Sequence, residues 1–379
     1  MQTLATAGTN GQHADRVLQL LRESGPMTRS ELGARCGLSR TTLYKVAGRL
    51  VDRGLVTATV PDTERRGRGR PAEKLAFNPA AGRLLGVDFS RRHVRLAALT
   101  AARKEIHTVG EMHPAATPWP ERIAIARRLA ANLAATGFNA LGGVGVSVTD
   151  QTTESSGTLD ERAVADMLGR TFGTRVRIGN APRLAALAET AWGAAKGLTD
   201  VLYMELSHRV SGGLVAGGVL HRGTQGRSGG FGHILAEPGG APCSCGSRGC
   251  LQTVASTKAV LDAYPAAADL AQLAAALRVG EQGAHAVVHR AAIHTGRVLA
   301  GLAKALGPSM IVVGGELVAL GPSLMNPLED EVRENVVTYG PRAPIPVRQA
   351  VLGDFAAAVG AASLLRLSSD ATSPGSAWA

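Results

Sequence analysis

Aromatic side chains are scarce in this sequence: phenylalanine, tyrosine and tryptophan together make up 3% of its 379 residues. Aliphatic side chains and alanine must therefore supply the core, drawn from an apolar fraction of 45%. Long apolar runs are also missing. No stretch approaches the ~20 residues that a membrane-spanning helix needs. The polar start, Met1 to Gln12, lacks the basic-then-apolar order of a secretion signal. A soluble, cytoplasmic protein with no membrane partner is expected. Cysteine is limited to Cys36, Cys243, Cys245 and Cys250, three of them within eight residues. In a cytosolic chain such a cluster argues for metal and against disulfides. Acidic residues are in deficit, 30 against 41 Lys and Arg, for a formal net charge of +11. Glycine, by contrast, is abundant at 47 residues, which suggests tight turns and backbone-lined sites. The length exceeds one ordinary core and allows two or three domains.

The excess positive charge is concentrated at the start. Residues 1 to 80 hold thirteen Lys and Arg, the footprint of a phosphate-binding module. From Asp15 to Ser24 the apolar residues Val17, Leu18, Leu20 and Leu21 fall at helical spacing, and Gly25-Pro26 ends that helix. Thr28-Arg29-Ser30-Glu31 has the form of a capping box that opens a second helix reaching Cys36. Gly37 makes the turn and Ser39 is a good N-cap for a third helix. In the third helix Leu43, Val46 and Leu50 share one face, which leaves Arg40, Thr41, Thr42, Tyr44, Lys45 and Arg49 as candidates for a major groove. Gly54 to Val60 reads as a strand, Pro61 to Pro71 as a loop and Leu75-Ala76-Phe77 as a returning strand. This is a hairpin wing whose Arg68-Gly69-Arg70 can lie in a minor groove. The expectation is a winged helix-turn-helix over residues 13–78 that binds double-stranded DNA. The alternative is a small helical bundle with a solvated basic face. Cys36 reads as a core residue.

After Asn78 the pattern changes. Leu84–Phe89 and Val94–Leu99 read as a strand pair, a helix pattern runs from about Glu121 to Ala135, and Gly143–Val148 reads as a further strand. Strands and helices continue to alternate, so the class is α/β. Cys243-x-Cys245-x4-Cys250 places three thiolates on one turn-rich loop, and a nearby imidazole would complete a tetrahedral zinc set. Gly232-His233-Ile234, Glu237-Pro238-Gly239-Gly240 and the cysteine motif ending at Leu251, together with Asn180, Gly212-Gly213 and Ile311–Gly315, resemble the ROK family (repressor, open reading frame, kinase). The resemblance implies a two-lobed, actin-like ATPase, sugar-kinase-like domain over 79–367. It implies His233 as the fourth ligand beside Cys243, Cys245 and Cys250, in preference to His208 or His221, around a structural Zn2+ in a loop spanning 233–250. It also implies a homodimer or dimer of dimers.

This sequence departs from the kinases of that family where phosphoryl transfer needs a base and glycine-lined phosphate loops. The position of the kinase base, after Asn180, is Ala181, followed by Pro182. The first phosphate loop reads Phe89-Ser90-Arg91-Arg92-His93 after Asp88, and the second reads Ser207-His208-Arg209-Val210-Ser211 before Gly212. Two sugar-binding glutamates become Gly230 and Gln252. Asp150 is a conceivable substitute base. The expectation is a DNA-binding transcriptional regulator, a repressor tied to carbohydrate metabolism, with a non-catalytic ROK domain. Asn180, His233 and Gln252 are candidate effector contacts, and Arg91, Arg92, Arg183 and Arg209 favour an anionic effector. That effector would be a sugar or a phosphosugar. The alternatives are a divergent sugar kinase with a DNA-binding arm, or a scaffold that uses the metal loop as a partner surface. The small, polar tail 368–379 is expected to be disordered.

Overall fold

A computed structural model describes residues 5–52, 55–59, 73–78, 84–99, 105–135, 143–148, 161–174, 176–226, 228–336 and 344–370. The amino-terminal unit contains α1 (Ala5–Ser24), β1 (Met27–Thr28), α2 (Arg29–Cys36), α3 (Arg40–Asp52), β2 (Val56–Thr59) and β3 (Lys74–Phe77). The capping box forms as the sequence predicts. The Glu31 N–H donates to the Thr28 hydroxyl at 3.2 Å, and the Thr28 N–H donates to the Glu31 carboxylate at 2.8 Å. Those Thr28 donors hold the Glu31 carboxyl below its ordinary pKa. Gly37 ends α2 in the left-handed region at φ +66°, and the Ser39 hydroxyl accepts from the Thr42 N–H to start α3. Val17, Leu21, Leu32, Cys36, Leu43, Val46, Leu50 and Leu75 form the core of this unit. The hairpin β2–β3 pairs antiparallel with Val56 opposite Phe77, and β1 adds a third strand in the order β1-β3-β2. The helix predicted from Asp15 begins earlier, at Ala5.

The rest of the chain builds two five-stranded sheets. The first contains β4 (Leu84–Phe89), β5 (His93–Leu99), β6 (Ile106–Met112), β7 (Gly143–Val148) and β8 (Val176–Asn180), in the order β6-β5-β4-β7-β8. The second contains β9 (Val201–Leu206), β10 (Val210–Ala216), β11 (Val219–Leu220), β12 (Met310–Gly314) and β13 (Val347–Gln349), in the order β11-β10-β9-β12-β13. Numbered within each sheet, both orders are 3-2-1-4-5. In each sheet the first strand turns back antiparallel into the second and runs parallel to the fourth. Parallel neighbours require crossover helices. In the first sheet these are α4 (Trp119–Ala135) and α5 (Glu161–Phe172). The three strands predicted between Leu84 and Val148 all form, the first two as the expected antiparallel pair; β6 was not anticipated, and the helix expected from about Glu121 runs from Trp119.

Chain order and packing part company at the end. After α6 (Ala181–Ala191), α7 (Gln252–Ala255), α8 (Thr257–Asp262), α9 (Leu270–Arg278), α10 (Gln282–Leu306) and α11 (Pro322–Asn335), the last helix, α12 (Ala356–Asp370), follows the second sheet but packs on β4, β5 and β7 of the first, and on α6. A Cβ on Gly86 would stand 1.8 Å from the Ala358 carbonyl oxygen, and one on Gly145 1.8 Å from that of Ala361. The helix runs to Asp370, so residues 368–370 are helical where disorder was expected, and 371–379 lie outside the described residues. Ala358, Ala361 and Ala362 are buried against the sheet. Glu189, fully buried on α6, accepts from the backbone N–H groups of Ala194, Val351 and Leu352 at 2.8–3.0 Å. It thereby secures the segment that leads into α12.

Gly145→Ala is expected to lower stability to urea by about 3 kcal/mol, because backbone and not a flexible side chain must move to admit the methyl group. Gly48→Ala, in α3 with nothing within 4 Å of the added methyl, is expected to raise stability by about 0.5–1 kcal/mol. Equal effects at the two positions would refute the close-approach account.

Candidate functional site

Three places carry the predicted chemistry. The first is the outer face of α3. Arg40, Thr41, Tyr44, Lys45 and Arg49 are exposed there, while Leu43, Val46 and Leu50 are buried on the opposite side. Thr42 differs from its neighbours: it is half-buried, with its hydroxyl 2.8 Å from that of Ser39 in the helix cap. Tyr44 has guanidinium carbons near its ring, from Arg29 at 4.7 Å and Arg40 at 5.8 Å. The expected minor-groove residues Arg68 and Arg70 lie outside the described residues, as does Asp150.

The second place is the cysteine loop. The structure brings His233, Cys243, Cys245 and Cys250 together, with all their ligand atoms within 4.8 Å of one another. His208 and His221 are not in this group. A tetrahedral zinc with bonds of about 2.3 Å to sulfur and about 2.0 Å to nitrogen spaces its ligand atoms roughly 3.5–3.8 Å apart. Cys243 Sγ stands 3.5 Å from His233 Nδ1, and Cys245 Sγ stands 3.7 Å from Cys250 Sγ. The donor set therefore fits the ion. Local backbone builds this spacing. Gly249 sits at φ +70°, where a Cβ would stand 1.8 Å from the Glu237 carbonyl oxygen, and the bridges Pro242–Arg248 and Leu235–Cys250 close the loop. A backbone N–H donated by Ser247 lowers the Cys245 thiol to about 6. Arg290 grips the Glu237 carboxylate through both oxygens, at 2.6 and 2.8 Å.

The third place is a cleft of about 920 Å³ at the carboxyl ends of β4 and β9, the first strand of each sheet. Ligands of open α/β sheets bind at such ends, where strand order reverses. Asn180, His233 and Gln252 all line it, as do Arg91, Arg92, Arg183, Arg209 and Ala181. Gln252 and Arg183 are engaged with backbone. The Gln252 amide accepts from the Val210 N–H at 2.7 Å and donates to the His208 carbonyl at 3.3 Å, which ties the β9–β10 turn to the cysteine loop. Arg183 donates to the Gly226 carbonyl.

Sequence reading missed the acidic floor of this cleft. Asp88, 3% exposed, accepts from the Ser147 hydroxyl at 2.7 Å. Burial raises its carboxyl to about 6, against the pull of Ser147 and Arg95. Arg95 stands 3.8 Å from Asp88 and 3.0 Å from Asp354, so it joins the first sheet to the segment before α12. Burial, with Asp88 and Glu316 nearby, raises Glu205 to about 7. The available signal was a lone carboxylate in the otherwise apolar strand Val201–Leu206.

A model of the ROK family matches residues 84–367, and a model of the MarR family matches residues 8–67. A glucokinase of Thermotoga maritima is 30% identical over 224 residues, 54% of this chain and 69% of that one. The DNA-binding transcriptional dual regulator NagC of Escherichia coli is 23% identical over 92% of this chain and 91% of its own. Among solved structures, a ROK hexokinase from Thermus thermophilus is 28% identical with a TM-score of 0.64, covering 75% of this chain and 99% of its own. A ROK family transcriptional regulator, a homologue of the E. coli MLC protein, is 21% identical with a TM-score of 0.71, covering 94% and 96%. No described helix is long and apolar enough to cross a membrane.

A carboxyl raised by burial stabilises the fold fully below its unfolded pKa and loses that contribution as pH rises through its folded pKa. For Asp88 and Glu205 this window spans about pH 4 to 7. Glu205→Gln is therefore expected to raise stability to urea at pH 8 by about 1–3 kcal/mol, with a far smaller effect at pH 4. The same gain at both values would show that the carboxylate is not held against its charge.

Proposed function

Because this chain belongs to the ROK family and carries a MarR-like winged helix ahead of that domain, we propose that it is a sequence-specific DNA-binding transcriptional regulator. One observation carries the reading. The basic, exposed face of α3 stands opposite a buried apolar face, on a unit whose hairpin would supply a wing. Arg40, Thr41, Tyr44, Lys45 and Arg49 meet the major groove, where Arg and Lys read guanine edges and also neutralise phosphates. Thr42 contributes through the helix start. Arg68 and Arg70 enter the minor groove. The chain acts in the cytoplasm as a homodimer or dimer of dimers. Two copies of the α3 face then meet half-sites about one or two DNA turns apart.

The ROK domain, in this reading, has given up kinase chemistry. Alanine at position 181 takes no proton from a sugar hydroxyl, and Arg91 and Arg92 stand where glycines would let a nucleotide's phosphates approach. The cleft instead receives a sugar or phosphosugar effector beside Asn180, His233 and Gln252, with the arginines favouring an anion. A Zn2+ held by His233, Cys243, Cys245 and Cys250 would be closed to water and structural, locking the loop that walls the cleft through His233 and Ser244. The 30% identity to a glucokinase keeps a kinase reading in view. Steady ATP consumption with any hexose, abolished by Asp88→Asn, would establish that reading in place of ours.

Selection of bound duplexes from a random pool, followed by mobility-shift titration, is expected to yield a preferred two-fold symmetric site. Arg40→Ala or Lys45→Ala should weaken binding to it by roughly 5- to 100-fold where the side chain reads a base. Binding indifferent to sequence at 150 mM salt would sink the proposal. Elemental analysis of the purified chain is expected to find about one zinc per chain. Cys250→Ser is expected to lose the metal and lower the melting temperature, and full occupancy in that variant would exclude the ligand set.

A further inference from the structure

Arg29 opens α2, and its backbone is placed by the pairing of β1 with β3. In that register Met27 lies opposite Leu75 and Thr28 opposite Lys74, so the next position across from Arg29 is Glu73. Their side chains meet, with Arg29 Nη2 3.0 Å from the Glu73 carboxylate. The same guanidinium carbon stands 4.7 Å from the centre of the Tyr44 ring on α3. Arg40, one turn earlier on α3, stands 5.8 Å from that ring. Tyr44 is 46% exposed. One planar cation thus touches the base of the wing strand, the start of α2 and an aromatic side chain on the outer face of α3. An exposed tyrosine can otherwise sample its rotamers freely, and cations facing its ring restrict it.

We infer that Arg29 is a positioning residue for DNA reading: it holds Tyr44 in one orientation and fixes α3 against the wing through Glu73, without itself contacting DNA. The inference rests on the DNA-binding function proposed above. It differs from the simplest reading of an arginine at a helix start in this unit, which is a direct phosphate contact. The two roles predict opposite signatures. A phosphate contact contributes about 0.9 to the slope of log K against log salt and affects all sequences alike. A positioning residue leaves that slope intact and changes the ratio of specific to non-specific binding.

The test uses the full chain, the duplex recovered by selection and a scrambled duplex of the same composition. A ratio well above one for the unaltered chain certifies the underlying function before any variant is compared. A ratio of one defeats that function and this inference with it. Given the certified function, Arg29→Ala is expected to lower the ratio about three- to tenfold with an unchanged salt slope. Glu73→Gln, a mild change that keeps the fold, should lower the ratio in the same direction although it removes a negative charge. In a Tyr44→Ala background, Arg29→Ala should cause little further loss. Three results would overturn the inference while leaving DNA binding intact: a slope reduced by about 0.9 with both affinities falling together, a Glu73→Gln variant with an unchanged or raised ratio, or independent, additive losses at positions 29 and 44.

Discussion

Gly86 and Gly145, on neighbouring parallel strands, leave a trough into which the backbone of the last helix settles, with the carbonyls of Ala358 and Ala361 in the space where side chains would be. Gly360 completes the contact from the helix side, lying so close to α6 that a Cβ there would stand 1.8 Å from the Leu184 carbonyl oxygen. The chain therefore returns from its second sheet to close its first, and at these glycines it does so backbone to backbone. A sequence poor in aromatics and rich in alanine and glycine achieves dense packing by bringing backbones together. The segment that enters this helix also delivers Asp354 to Arg95 and leaves Ala356 and Ala357 lining the cleft. Closure of the first sheet and the shape of the cleft are consequences of one contact.

The cleft is polarised. Arg91, Arg92 and Arg209 line its mouth, while Asp88 and Glu205 lie beneath, held toward their neutral forms by burial. Arg95 partly neutralises Asp88 from within the protein. The cysteine loop adjoins the cleft directly. His233 faces both the thiols and the cleft, and Gln252 fastens the end of that loop to the β9–β10 turn. Whatever orders the loop therefore also orders one wall of the cleft.

Much of this was readable residue by residue. The Thr28–Glu31 box, the left-handed turn at Gly37, the Ser39 cap and the buried row Leu43, Val46 and Leu50 are local features, set by contacts within a few positions. The spacing of Cys243, Cys245 and Cys250 likewise announced a cluster of thiols that could hold a metal. Other features carried no local signal. Glu189 gathers N–H groups from residues 194, 351 and 352, and Arg95 meets a carboxylate 259 residues away. Gln252 lines the cleft as expected, and the structure adds that its amide also bonds to the Val210 and His208 backbone.

Sequence alone determined the amino-terminal helices, the wing strands, the first strands of the larger domain and the cysteine cluster, because caps, turns, hydrophobic period and ligand spacing act between near neighbours. It also fixed alanine at position 181, whose side chain offers no proton acceptor in any fold. Tertiary structure decided which distant side chains share a dielectric: only the meeting of two sheets brings the buried Asp88 and the half-buried Glu205 to one cleft and moves their pKa values toward neutrality. It also decided that the final helix belongs to the first sheet, because a glycine's missing Cβ acquires meaning only when another backbone arrives to occupy the space.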